Sequence, residues 1–185
     1  KTEALKDVDV ILVLALESSG SINDHRWEIQ RQGYAAAFNS PELLNAIRKG
    51  PLGAIAVSVV AWSSVYQQYV IVGWHVVSDT TSAKVFSTKI LEMPRPYRGG
   101  TSIAGGIMYS VSLIRRAPFR AHRKIIDVSG DGRNDVDLFL PPKMSLFLIT
   151  LEQARSEALH SNITINALAL EGNEDGITEY FRDFV

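Results

Sequence analysis

Four segments of the chain are near-continuous runs of β-formers: VDVILVLAL (8–16), GAIAVSVVAW (53–62), KIIDVSG (124–130) and ITINALAL (163–170). Continuous rather than alternating hydrophobicity marks strands covered on both faces by helices. A fifth segment, YQQYVIVGWHVV (66–77), follows the second after only a few residues. So short a connection permits a hairpin and not a parallel crossover, so 66–77 is read as an antiparallel edge strand.

Helical patterns fill the gaps. NDHRWEIQRQGYAAAFNS (23–40) carries Trp27, Gln30/Arg31, Tyr34 and Phe38 at helical spacing, and PELLNAIRKG (41–50) extends or restarts it. DTTSAKVFSTKILEM (79–93) places Ala83, Phe86, Ile90 and Met93 on one face. TSIAGGIMYSVSLIRRAP (101–118), SLFLITLEQARSEALHS (145–161) and the stretch from Glu174 onward complete the set. The order β-α-β-β-α-α-β-α-β-α predicts an α/β fold: an open, doubly wound, mostly parallel sheet with one antiparallel edge strand and helices on both faces. Residues 1–185 are read as a single domain, long enough to bury a substantial core.

Composition narrows the chemistry. A net charge of −1 gives no electrostatic footprint for nucleic acid. The longest apolar runs, such as VILVLAL at 10–16, are far too short to span a bilayer. There is no cysteine, which excludes disulfides, thiolate metal sites and cysteine nucleophiles. No signal peptide is visible, and a cleaved one would leave none.

In open α/β sheets the working face lies at the carboxyl ends of the parallel strands. Three polar clusters fall there: Glu17-Ser18-Ser19-Gly20-Ser21, Gly99-Gly100-Thr101-Ser102 and Ser129-Gly130-Asp131-Gly132. Two acids, several hydroxyls and flexible glycines make a hard-oxygen donor set suited to Mg²⁺ or Mn²⁺. Each cluster alone has a structural explanation. Ser21 with Asp24 could begin a helix, Thr101 could cap its own helix, and Asp131-Gly132 could be an ordinary turn. Three at one edge of one sheet point to a site.

The pattern acid-x-Ser-x-Ser after the first strand, then Thr in a Gly-rich loop, then Asp-Gly after a later strand, resembles the von Willebrand factor type A (vWA) domain, a Rossmann-like fold. RQGYAAAF (31–38), GGTSIAGGI (99–107) and IDVSGDG (126–132) are most similar to a bacterial branch of unknown function. The resemblance runs from about Val8 to Val185. It implies a metal-ion-dependent adhesion site (MIDAS) in which Ser19, Ser21 and Thr101 offer hydroxyl ligands. Asp131 would act mainly through coordinated water, and Glu17 would take the place of the first acid. An open position on the metal would accept a carboxylate from a protein partner. The resemblance also implies an exported, periplasmic or extracellular, bacterial protein.

The chain departs from the family pattern in three places. Glu17 stands where the family has Asp, and its extra methylene moves the carboxylate by about a bond length. The segment 133–150 is longer and more apolar than usual, so 136–150 is either a loop with a buried helix face or a docking surface. The family's closing strand and helix are not matched before Val185.

Other readings compete. A degenerate, metal-free vWA scaffold could recognise partners through the apolar 136–150 surface. GDGRND (130–135) also resembles the last metal-binding motif of haloacid dehalogenase-type phosphatases, which would make the chain a magnesium phosphohydrolase. That class needs an aspartate nucleophile with a second Asp two residues on, where this chain has Glu17 and Ser19. The four histidines (His25, His75, His122, His160) show neither paired metal spacing nor a hydrolase setting. The basic cluster RRAPFRAHRK (115–124) joins a helix end to a strand on the opposite edge, where cations suit the helix dipole. A non-enzymatic binding module with a divalent-metal site is the expected function.

Overall fold

The structure, a computed structural model, describes residues 5–135 and 149–185. The elements in chain order are β1 (Lys6–Asp7), β2 (Val10–Glu17), α1 (Asp24–Phe38), α2 (Pro41–Arg48), β3 (Ile55–Trp62), β4 (Gln68–Val77) and α3 (Thr80–Glu92). There follow α4 (Ile103–Arg115), β5 (Phe119–Arg120), β6 (Arg123–Gly130), α5 (Leu151–His160), β7 (Ile163–Ala169) and α6 (Ile177–Phe184). The main sheet has the order β4-β3-β2-β6-β7, with every pair parallel except β3–β4. The expected α/β fold, with 66–77 as its antiparallel edge strand, is what forms.

Alternation along the central strands divides the core into two layers. Ile11, Val13 and Ala15 of β2 and Ile126 and Val128 of β6 face α4, α5 and α6, packing with Ile103, Ile107, Val111, Ala154, Ala158 and Phe181. Leu14 and Leu16 point the other way, with Trp27, Phe38, Leu44, Phe86 and Ile90 of α1, α2 and α3. Ala83, Phe86 and Ile90 of α3 and Met93, which caps its end, are all buried. The first helical pattern restarts rather than continues: α1 ends at Phe38, and Ser40 accepts from Leu43 N to cap α2, with Pro41 at its first position.

The structure corrects two points. ITINALAL reads as a strand covered on both faces, yet in β7 Thr164, Asn166, Ala167 and Leu168 are exposed. The reason is its place at the end of the sheet, where apolar content no longer guarantees a covering helix. The basic stretch 115–124 contains β5, which pairs in parallel with β1 and was not anticipated. Both strands are only two residues long, below what hydrophobic patterning can reveal. The start of the helix expected at 145–161 and most of the apolar 136–150 surface lie outside the described residues. Ile149 is exposed and α5 begins at Leu151.

Candidate metal centre

The carboxyl ends of β2 and β6 deliver the two acids. Glu17 is the last residue of β2, opposite Trp62 of β3, and Asp131 follows directly on Gly130 at the end of β6. Both side chains are fully buried. Beyond Glu17 the chain turns tightly: Ser18 N donates to Trp62 O (2.8 Å) and Gly20 N to Gly99 O (2.8 Å). A Cβ at Gly20 would stand 3.2 Å from Arg98 O, so the two loops approach backbone to backbone at a glycine. The second loop is fixed to the end of β3, because Ser63 Oγ donates to Gly100 O (2.9 Å) and Gly100 N donates to Ser64 Oγ (2.7 Å).

This scaffold brings all five sequence-predicted residues into one network. Glu17 Oε1 accepts from Ser19 Oγ (2.6 Å) and from Thr101 Oγ1 (3.0 Å), and Glu17 Oε2 accepts from Asp131 N (2.7 Å). Ser21 Oγ donates to Asp131 Oδ1 (2.6 Å), and Ser19 Oγ lies 2.8 Å from Ser21 Oγ. The structural explanations for these hydroxyls fail. Asn23, not Ser21, caps α1 by accepting from Arg26 N, and Ser102, not Thr101, caps α4 by accepting from Gly105 N. Ser21 and Thr101 are left to face the acids.

The line Glu17 Oε1, Ser19 Oγ, Ser21 Oγ, Asp131 Oδ1 contains three close oxygen–oxygen contacts, and the two serines bring one proton each. One positive charge is missing from the line. Either a carboxyl keeps its proton or a cation sits among the oxygens. Burial pushes the Glu17 carboxyl up to about 7, with the nearby Asp131 charge adding to the rise against hydrogen bonds from Ser19, Asp131 N and Thr101. A protonated Glu17 closes the line when no cation is present.

The residues fit a hard divalent cation. The donors are all oxygen, two carboxylates and three hydroxyls, and the arrangement lacks one positive charge. Among the described residues no group of three or more His, Cys, Asp or Glu could hold a metal. Binding here would therefore depend on the hydroxyls. Fewer charged ligands leave a bound cation more electrophilic.

Sequence reading missed the arginines. Arg26 Nη1 donates to Asp131 Oδ2 (2.7 Å) and Nη2 to Glu171 O (3.2 Å), tying α1 to the ends of β6 and β7. Arg95 donates through Nε to Ser18 O (3.3 Å) and through Nη2 to Ser19 O, and pairs with Asp24. Arg26 left one trace in the sequence: it lies in the first turn of α1, where the helix dipole disfavours a cation. Gln30 of α1 is buried, accepting from Ser129 Oγ of β6 (2.9 Å) and donating to Glu17 O of β2 (3.4 Å).

The fold recurs in solved structures. A von Willebrand factor type A protein from Catenulispora acidiphila matches with a TM-score of 0.60 and 17% identity, over 96% of this chain and 36% of that one. A mutant of the PilB minor pilin from Streptococcus sanguinis matches with a TM-score of 0.59 and 13% identity, over 96% of this chain and 54% of that one. Proximal thread matrix protein 1 from the mussel byssus matches at 0.58 and 14%, over 94% and 38%. The chain thus spans well under two thirds of each of these molecules. No curated protein matches it. The fold is of the von Willebrand factor type A kind, and because the DUF1194 profile, "Protein of unknown function", matches residues 7–185, the chain belongs to the DUF1194 family.

Proposed function

We propose that the chain is a non-enzymatic protein-binding module that holds Mg²⁺ or Mn²⁺ among Glu17, Ser19, Ser21, Thr101 and Asp131 and takes a carboxylate from a partner protein. The convergence of these five side chains, one positive charge short, carries the reading. When bound, the cation supplies an electrophilic centre for the partner's oxygen. The chain's own part is positional. Arg95 holds the Ser18–Ser19 backbone, Ser63 and Ser64 hold the Gly100 loop, and β2 and β6 fix the acids. The minor pilin among the similar folds accords with an exported adhesive role, here by analogy only.

A second reading has its own support. Arg26 already places a positive charge on Asp131, and a protonated Glu17 completes the network without metal. On that reading the fold is a metal-free scaffold whose partner surface lies elsewhere. Calorimetric titration of chelator-treated protein with Mg²⁺ and Mn²⁺ separates the two. The metal reading expects saturable binding that a Ser19→Ala/Ser21→Ala variant loses. Heat without saturation in the wild type, with saturable binding regained by Glu17→Asp, would establish the metal-free scaffold instead.

A further inference from the structure

Arg26 occupies an unusual place. Its guanidinium is the cation in direct contact with one of the site's two buried acids, and its side chain is only 21% exposed. Arg95, the other guanidinium nearby, contacts backbone carbonyls and pairs with Asp24 outside the site. It stands in the first turn of α1, against the helix dipole, where a cation needs a compensating partner. That partner is Asp131 Oδ2 at 2.7 Å, while Asp131 Oδ1 accepts from Ser21 at 2.6 Å. One carboxylate thus faces the hydroxyl line with one oxygen and a permanent cation with the other. The second Arg26 nitrogen is spent on Glu171 O, and the next residue, Gly172, has φ +93 with room for a Cβ only 3.2 Å from that nitrogen. The loop after β7 is therefore folded closely over the guanidinium.

Building on the metal reading above, we propose that Arg26 is an internal counter-cation that competes with the divalent ion for Asp131. It lowers the site's metal affinity and leaves the loaded site with a net positive charge. The charge count makes the case. Arg26 is paired with Asp131 at 2.7 Å, and Glu17 is the second carboxyl of the site. With a divalent ion present, the two carboxylates face three positive charges. The surplus charge is what a partner's carboxylate would neutralise. Without Arg26 the loaded site would already be neutral, so the ion would bind more tightly and the partner's anion less. A guanidinium in direct contact with the buried Asp131 carboxylate is screened less than a surface charge and weighs on a divalent ion at the same carboxylate.

The test compares wild type, Arg26→Gln and Arg26→Lys by calorimetric titration with Mn²⁺ at low ionic strength. Arg26→Gln is expected to bind Mn²⁺ at least tenfold more tightly than wild type, and Arg26→Lys, which keeps the charge, to stay close to it. A purely structural role would move the result the other way, because losing the ties to Asp131 and Glu171 would loosen the site and weaken binding. Binding in Arg26→Gln alone, with none in wild type, would support the proposal in its strongest form. Equal or weaker affinity in Arg26→Gln overturns it and leaves the metal reading standing. Absence of binding in all three and in Glu17→Asp overturns both.

Discussion

Glu17 Oε2 accepts a hydrogen bond from the backbone N–H of Asp131 at 2.7 Å, so the end of β2 is bonded through a side chain to the residue that leaves β6. These strands are neighbours in the sheet, and Gly130 is the last residue of β6. A Cβ on Gly130 would fall 2.6 Å from Glu17 Oε2 and 3.1 Å from Phe181 Cζ. The carboxylate can reach that amide because position 130 has no side chain.

Gly130→Ala is accordingly expected to destabilise the protein by about 1–3 kcal/mol, since neither the buried carboxylate nor the Phe181 ring can move aside freely. Gly33→Ala is the control. Gly33 is in α1, and a Cβ there meets nothing within 4 Å. Glycine in a helix interior costs about 0.5–1 kcal/mol relative to alanine, so that variant should gain stability. Urea unfolding midpoints of both variants check the pair.

The raised Glu17 carboxyl has a consequence for stability. Folded, it titrates at about 7; unfolded, it returns to the ordinary glutamate value of 4.5. Between those values the folded chain holds a proton that the unfolded chain releases. The contribution is complete below the unfolded value and is lost as the pH rises through about 7. A shift of this size corresponds to about 3 kcal/mol. Urea unfolding of wild type at pH 5 and pH 8 should show the loss, and Glu17→Gln should flatten it. On the metal reading, Mg²⁺ at pH 8 should restore stability to wild type and not to Glu17→Gln.

Arg95 is nearly buried, and its guanidinium donates to the carbonyls of both Ser18 and Ser19. Arg95→Ala would leave those carbonyls short of partners at a cost of about 1–3 kcal/mol. Faster hydrogen exchange at the Gly20 and Ser21 amides, with exchange in β3 unchanged, would mark a local loosening of the serine loop. Unchanged exchange at Gly20 and Ser21 would show that the loop is held without this arginine.

The continuous apolar strands and the brief link before 66–77 sufficed to foresee the sheet, including its antiparallel edge. The three polar clusters were legible because strand ends in such sheets converge on one edge, and the vWA resemblance picked out Glu17, Ser19, Ser21, Thr101 and Asp131 among them. The structure brings these five side chains together, and their role as metal ligands is the proposal. What sequence could not convey was the set of long cationic side chains reaching in from elsewhere. Arg95 lies 76 positions from Ser19 and Arg26 lies 105 from Asp131, and an arginine's reach depends on the fold around it. The exposure of β7 was hidden for a related reason. ITINALAL has the composition of an inner strand, and only strand order shows that it is an outer one.

On the proposed function a divalent cation sits among these oxygens. The most direct test is diffraction from crystals of the chain grown with Mn²⁺, at a wavelength that reveals manganese by anomalous scattering. An anomalous peak is expected in direct contact with Ser19 Oγ and Ser21 Oγ at the carboxyl edge of β2 and β6. A clean map with no peak there, and Ser19 and Ser21 still hydrogen-bonded to Glu17 and Asp131, would contradict it.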